Sequence, residues 1–222
     1  MSELSIEHHP CTVVPQAVEV VVKGRMSPLT VTQFKATVDS LLTGPVSILL
    51  LGLQDVAFLP SITLSYLADL YARLDRRGGA IVLVQAASSV KIVLTQLGLV
   101  PFFKFSDNFD GARTAAGECV LAARKKPRLL LTKGPEPGTE FVIDAVPLVI
   151  GSDPTVAIAL KVPRLAPKHA EVALRGEHVY VRDLGSNSGT WINGEKAGAE
   201  PLRNGDALVV QEMEFRFLAC EQ

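Results

Sequence analysis

Cysteine is scarce in this chain: Cys11, Cys119 and Cys220 are far apart and outside any C-x-x-C spacing. An odd, scattered set builds no disulfide framework, which points to a reducing cytoplasm. The four histidines do not fall at ligand spacing with cysteines or carboxylates, so no metal site is assigned. His8 and His9 instead belong to a polar N-terminal segment, Met1 to Pro10, read as a mobile terminus. That segment has no apolar centre and is no signal peptide. Excess charge of either sign is also missing, with 22 basic against 23 acidic residues and a formal net charge of −1. Nucleic acid and anionic membrane, which call for a basic face, are thereby excluded as expected partners. The longest apolar stretch, Val46 to Leu53, is far short of the roughly 20 residues that span a bilayer. No nucleophile–base pair, paired carboxylates or phosphate cradle emerges, and Gly78-Gly79 and Gly185 build no dinucleotide fingerprint. The expectation is a protein that is not an enzyme and needs no cofactor.

What is present divides into two halves. With 222 residues, 48% of them hydrophobic, the chain can build one large core or two small ones. Up to about residue 122, strand and helix signals alternate. Val18 to Val22 and Val46 to Leu53 are apolar runs, the second almost unbroken, as in a strand buried on both faces. Between them Ser27-Pro28 reads as an N-cap with proline at the first helical position. Phe34, Val38, Leu41 and Leu42 follow helical spacing, and Gly44-Pro45 ends that helix. Leu64, Leu67, Ala68, Tyr71 and Leu74 predict a second helix from Ser61, stopped by Gly78-Gly79 before the strand Ala80 to Val84. Ser88 or Ser89 is expected to cap a third helix whose Leu97-Gly98-Leu99 ending has Schellman chemistry. A short strand over Phe102 to Phe105 and a last helix over Phe109 to Ala123 complete an α/β layer.

Arg124-Lys125-Lys126-Pro127 breaks the pattern and reads as a solvated linker. Beyond it lie strand candidates at Leu129–Leu131, Phe141–Ile143, Leu148–Ile150, Ala170–Leu174, Val179–Val181 and Phe215–Leu218. Gly134-Pro135, Pro137-Gly138, Arg175-Gly176, Asn193-Gly194 and Asn204-Gly205 punctuate them as turns. Many short strands at this spacing describe a β-sandwich. The expected organisation is residues 1–122 as one domain, 123–127 as linker and 128–222 as a second domain. Residues 1–127 carry 12 basic and 10 acidic groups, and 128–222 carry 10 and 13, too even a division to name a partner.

The first half resembles the STAS family of sulfate transporters and anti-sigma-factor antagonists, whose fold is a mixed sheet with helices. The resemblance lies in a buried strand, then Asp55-Val56-Ala57-Phe58-Leu59-Pro60-Ser61-Ile62-Thr63-Leu64, then a helix, Arg77-Gly78-Gly79 and a strand. Bacterial regulators of the family usually read Asp-Ser-Ser-Gly before the helix, and a partner kinase phosphorylates the first serine. That serine falls on Ser61, with Pro60, Ile62 and Thr63 at the other three positions. The resemblance makes Ser61 a candidate phosphorylation site, since a helix N-terminus tolerates an anion while the added charge repels an apolar partner. The alternative is that Ser61 only caps its helix. Leu59 and Ile62 make the loop more apolar than the family pattern, which suits constitutive contact or ordinary core packing.

The second half resembles the forkhead-associated (FHA) domain. It carries Ile150-Gly151-Ser152, Ala166-Pro167-Lys168-His169-Ala170, and Asp183-Leu184-Gly185-Ser186-Asn187-Ser188-Gly189-Thr190-Trp191-Ile192-Asn193-Gly194. Pro201 to Asp206 and Phe215-Arg216-Phe217 extend the likeness. Such domains bind phosphothreonine peptides through loops at one end of an all-β sandwich, using an arginine, a serine and an asparagine. Here those positions hold Ser152, Ala166 and Ser188, while the loop-shaping Gly151, His169, Gly189, Thr190, Asn193 and Gly194 stand. Losing the bidentate arginine and the serine hydroxyl removes the usual phosphate contacts, and losing the asparagine removes the hold on the peptide backbone. Lys161, Arg164 and Lys168 offer positive charge from another direction, or are solvated loop charges. Gly151, Ser152, Arg164, Lys168, His169, Ser186, Asn187, Ser188, Gly189 and Asn193 are the candidate peptide-binding residues. His169 is expected to be a buried scaffold histidine bonded to loop backbone, and Trp191 to be core.

Both resemblances imply a bacterial, cytoplasmic signalling adaptor that binds proteins, such as a regulatory kinase or an anti-sigma-like factor, without reading phosphothreonine. Two alternatives stand beside it: a phospho-regulated switch acting through Ser61 or an FHA phosphopeptide pocket, and a STAS subunit of a membrane transport complex.

Overall fold

The computed structural model describes residues 4–220, so Met1 to Glu3 of the N-terminal segment lie outside it. The chain divides into two compact units, residues 1–121 and 122–222. The first contains β1 (Ser5–Pro10), β2 (Ala17–Lys23), α1 (Pro28–Leu41), β3 (Ile48–Gly52), α2 (Ser61–Asp75), β4 (Ala80–Val84), α3 (Ser88–Gln96), β5 (Lys104–Ser106) and most of α4 (Phe109–Arg124), whose last three residues fall past the division. Its five strands lie in the order β1-β2-β3-β4-β5. β1 runs antiparallel to β2, and the remaining pairs are parallel. Ser5 to Pro10, part of the segment expected to be a mobile terminus, are thus an edge strand. Its polar residues, mostly exposed, conceal it, because one sheet edge and one neighbour suffice to order them.

The unbroken apolar run of β3 has a direct cause. Leu49 and Leu51 pack with Phe34 and Val38 of α1 and Leu67, Leu70 and Leu74 of α2, while Ile48 and Leu50 pack with Ala112 and Ala116 of α4. A strand covered on both faces cannot alternate apolar with polar. Ser27 caps α1 as expected: its Oγ accepts from the Thr30 N–H, and the Thr30 Oγ1 accepts from the Ser27 N–H. The third helix ends in a Schellman motif, with Gly98 at φ +67, Gly98 N–H on Thr95 O and Leu99 N–H on Leu94 O.

Serine is not the cap at α2 or α3. Pro60 and Ala87 occupy the cap positions, without any side-chain bond, and Ser61 and Ser88 open the helices. The Ser89 hydroxyl donates instead to Ala57 O at 2.7 Å, tying α3 to the loop before α2. Val100 to Phe102 form a 3-10 turn, which pushes the expected strand back to β5. The helix α4 continues through Arg124, so the first two residues of the span read as linker are helical; Ala122 and Ala123 favour that continuation.

The second unit holds β6 (Arg128–Lys133), β7 (Glu140–Val142), β8 (Leu148–Gly151), β9 (Ile158–Ala159), β10 (Ala170–Arg175), β11 (His178–Asp183), β12 (Thr190–Ile192), β13 (Glu195–Lys196), β14 (Ala207–Val210) and β15 (Met213–Leu218). They form a four-stranded sheet, β11-β10-β8-β9, and a six-stranded sheet, β13-β12-β14-β15-β6-β7. One core joins them, with Ile150, Val172, Val179 and Val181 from the first sheet meeting Leu129, Leu131, Leu208, Val210 and Phe215 from the second. This is a β-sandwich. Trp191 is not in it. Thr190 faces inward with no exposure, so period-two alternation turns Trp191 outward, 40% exposed. Among the described residues, no helix is long and apolar enough to cross a membrane.

Candidate functional site

At one end of the sandwich three segments meet: the exit of β8 (152–157), the loop into β10 (160–169) and the loop from β11 to β12 (184–189). Gly151 sets the first contact. A Cβ there would lie 2.0 Å from Pro167 O, so only glycine lets the two segments approach this closely. The approach is sealed by Ser152 N–H on Ala166 O at 3.0 Å and by the Ser152 Oγ donating to Leu165 O at 2.9 Å. Ser152, at the family's arginine position, therefore has its hydroxyl engaged within the protein.

His169 joins the second loop to the third. It is 1% exposed, its N–H donates to Ile150 O, and its Nε2 lies 3.0 Å from Gly189 O. A carbonyl can only accept, so Nε2 carries the ring proton. The Nδ1 atom is buried without a hydrogen-bond partner. The expected scaffold histidine is what the structure contains.

Asp183 was not singled out from the residues, yet it organises the third loop. Its Oδ1 accepts from Gly185 N–H and Ser186 N–H, and its Oδ2 accepts from the Ser186 hydroxyl at 2.6 Å and the Thr190 hydroxyl at 2.7 Å. The Ser186 Oγ then accepts from Gly189 N–H. Burial pushes the Asp183 carboxyl up, but the two hydroxyls and two backbone donors outweigh it and hold it at about 2. The sequence signal was an aspartate two and three residues before a Gly-Ser pair, the spacing of an Asx turn.

The sequence-predicted residues are thus brought together unevenly. Gly151, Ser152, His169, Ser186 and Gly189 are linked by the bonds above. Asn187 and Ser188 are exposed on the third loop, and the Trp191 Nε1–H donates to Ser188 O at 3.0 Å. Arg164 and Lys168 are exposed on the second loop, with the Arg164 backbone in the left-handed region at φ +63. Asn193 does not join them. It lies past the far end of β12, where its amide donates to Asp206 Oδ1 and its carbonyl oxygen accepts from Ala207 N–H. Those bonds make it a turn residue.

In the first unit, Ser61 is exposed at the first position of α2, flanked by Phe58 at 62% and Ile62 at 51% exposure. Leu59, expected on the loop surface or in the core, is in the core at 3%. Among the described residues no group of three or more His, Cys, Asp or Glu could hold a metal ion.

An α/β layer and a β-sandwich with three convergent loops define a two-module binding protein. Family models match residues 10–112 as a STAS domain and residues 148–210 as an FHA domain. The chain is a STAS domain followed by an FHA domain, both protein-binding modules of signalling. It is 27% identical over 132 residues to an oxoglutarate dehydrogenase inhibitor of Corynebacterium diphtheriae, covering 60% of this chain and 92% of that protein. With the glycogen accumulation regulator GarA of Mycolicibacterium smegmatis it shares 32% identity over 90 residues, 40% of this chain and only 57% of the relative. Similar solved structures include an FHA domain of Arabidopsis thaliana, at 23% identity and TM-score 0.41 over 44% of this chain and 88% of that one. An FHA domain of Chlamydia trachomatis matches at 23% identity and TM-score 0.40, over 43% and 99%.

Proposed function

We propose that this chain is a non-enzymatic signalling adaptor whose FHA half engages its partner without phosphothreonine. One observation carries the reading. Serine stands where the family pattern has its phosphate-binding arginine, and its hydroxyl is committed to Leu165 O. Ala166 and Ser188 remove the other two contacts at the same end. An arginine–phosphate bond is charge-assisted and bidentate, and a tethered serine reproduces neither property. The relatives named as an inhibitor and as a regulator support a protein that acts on other proteins. The test is fluorescence anisotropy of the full chain against a degenerate pool of phosphothreonine peptides. No saturable binding below millimolar peptide is expected, and micromolar binding would overturn the reading.

A charge-gated form of the adaptor is favoured by one feature of the STAS half. Ser61 is exposed between two exposed apolar side chains and its hydroxyl makes no capping bond. A phosphate of about −2 charge there would repel an apolar partner docked over Phe58 and Ile62. Intact-mass measurement on protein from its native host decides it, with a stoichiometric phosphate on Ser61 expected for the gated form and unmodified chain for the constitutive one.

A further inference from the structure

We infer that the loop end of the FHA half takes an unphosphorylated acidic segment of a partner protein, held by Lys161, Arg164 and Lys168. This rests on the reading that the same end does not depend on phosphothreonine. Residues 160–169 carry three cations and no acid, inside a stretch, 128–222, with 13 acidic and 10 basic residues. The loop is therefore a local reversal of charge. All three side chains are exposed, and among the described residues none is in an ion pair.

The acids close to this end are already engaged. Asp153, which lies near Lys168, accepts from the Thr155 N–H and hydroxyl at 2.8 and 2.7 Å. Asp183 is bound by four donors. Neither neutralises the loop by a direct pair. The loop is also held in shape: Leu160 and Leu165 are buried at 8% and 6%, and between them Arg164 keeps a left-handed backbone that non-glycine residues avoid. Strain of this kind persists only where surrounding packing imposes it, and it concentrates at binding sites.

Trp191 marks the third loop, which the cationic loop meets. His169 bonds the cationic loop to Gly189, and the Trp191 indole bonds to the neighbouring Ser188. At 40% exposure its indole is open to solvent and senses changes at that loop. Carboxylates suit this arrangement better than phosphate, which would need an arginine fork at Ser152 where the hydroxyl is tied down. Nucleic acid would need a longer basic stripe than one loop offers.

Because the chain contains one tryptophan, Trp191 fluorescence reports on this end alone. The full chain is titrated with decaglutamate, decaglutamine, a phosphothreonine peptide of equal length and decathymidylate. Decaglutamate is expected to give a saturable change that weakens as salt rises from about 50 to about 500 mM, and decaglutamine none. The variant K161A/R164A/K168A should bind decaglutamate about tenfold more weakly, as three exposed pairs predict. Its melting should not change, since no folded-state bond is lost. No response to decaglutamate, an undiminished response in the triple variant, or tighter binding of decathymidylate would overturn the inference. Tight binding of the phosphothreonine peptide would instead overturn the reading beneath it.

Discussion

Replacing Ser152 by Arg, Ala166 by Ser and Ser188 by Asn would return to the loop end the three groups that the FHA pattern places there. The structure makes this a fair test, because the positions already converge. Ser152 N–H bonds Ala166 O, and Ser188 precedes the Gly189 whose carbonyl His169 holds. The Arg and Ser contacts to phosphate are charge-assisted, about 1.5–3 kcal/mol each, and the Asn contact to peptide backbone is about 1 kcal/mol. Together they amount to roughly 4–7 kcal/mol, or about three to five powers of ten in affinity. The cost is the Ser152–Leu165 bond, about 1 kcal/mol. For a unit of this size that is a melting decrease of about 4–8 °C. Anisotropy with a phosphothreonine peptide is the assay. The parent should not bind below millimolar concentration, and the triple variant should bind in the micromolar range. A folded triple variant that binds no better than the parent would refute the reasoning, because the loss would then lie in the loop backbone and not in three side chains.

Asp183→Ala leaves two hydroxyls and two backbone N–H groups without their acceptor and should destabilise the sandwich by about 2–4 kcal/mol, read as a lower melting temperature. The native Asp183 carboxyl sits at about 2, against an unfolded value near 3.9. With the folded value the lower one, its stabilisation of about 2 kcal/mol is complete only above about pH 5 and is lost as pH falls through 4 toward 2. Denaturant melts at intervals from about pH 5 to pH 2 should show that slope in the parent, and a flatter one in Asp183→Asn. Gly151→Ala forces a Cβ to 2.0 Å from Pro167 O and should unfold or rearrange the loop end, seen as a loss of cooperative melting in the second unit. Phe58→Glu with Ile62→Glu should leave melting unchanged, since both are more than half exposed, yet abolish capture of any partner of the STAS half.

Local chemistry made part of this legible. Ser27-Pro28 and Leu97-Gly98-Leu99 named a helix start and a helix end, because each motif satisfies its own backbone groups without help from afar. The buried β3 was equally plain, as both its faces are covered. What escaped depended on neighbours distant in sequence. The polar β1 is a strand only because β2 lies beside it. β12 has three residues and β13 two, too few to display a period, so Trp191 could not be oriented from its surroundings. Ser61 looked like a cap because serine prefers that role, but the chain turns into α2 at Pro60, one residue earlier. At the site, the motif spacing located the loops and the scaffold histidine. It could not show that the Ser152 hydroxyl turns inward to Leu165 O, nor that Asn193 is committed to Asp206 and Ala207.

The central claim is that this adaptor holds its partners without phosphothreonine. It is tested most directly by affinity capture with the full chain from native lysate, run in parallel with and without prior phosphatase treatment. The same principal partner, in the same amount, is expected from both lysates, and its loss from the K161A/R164A/K168A variant is expected if it docks on the FHA half. A principal partner captured only from the untreated lysate, and lost after phosphatase, would contradict that claim.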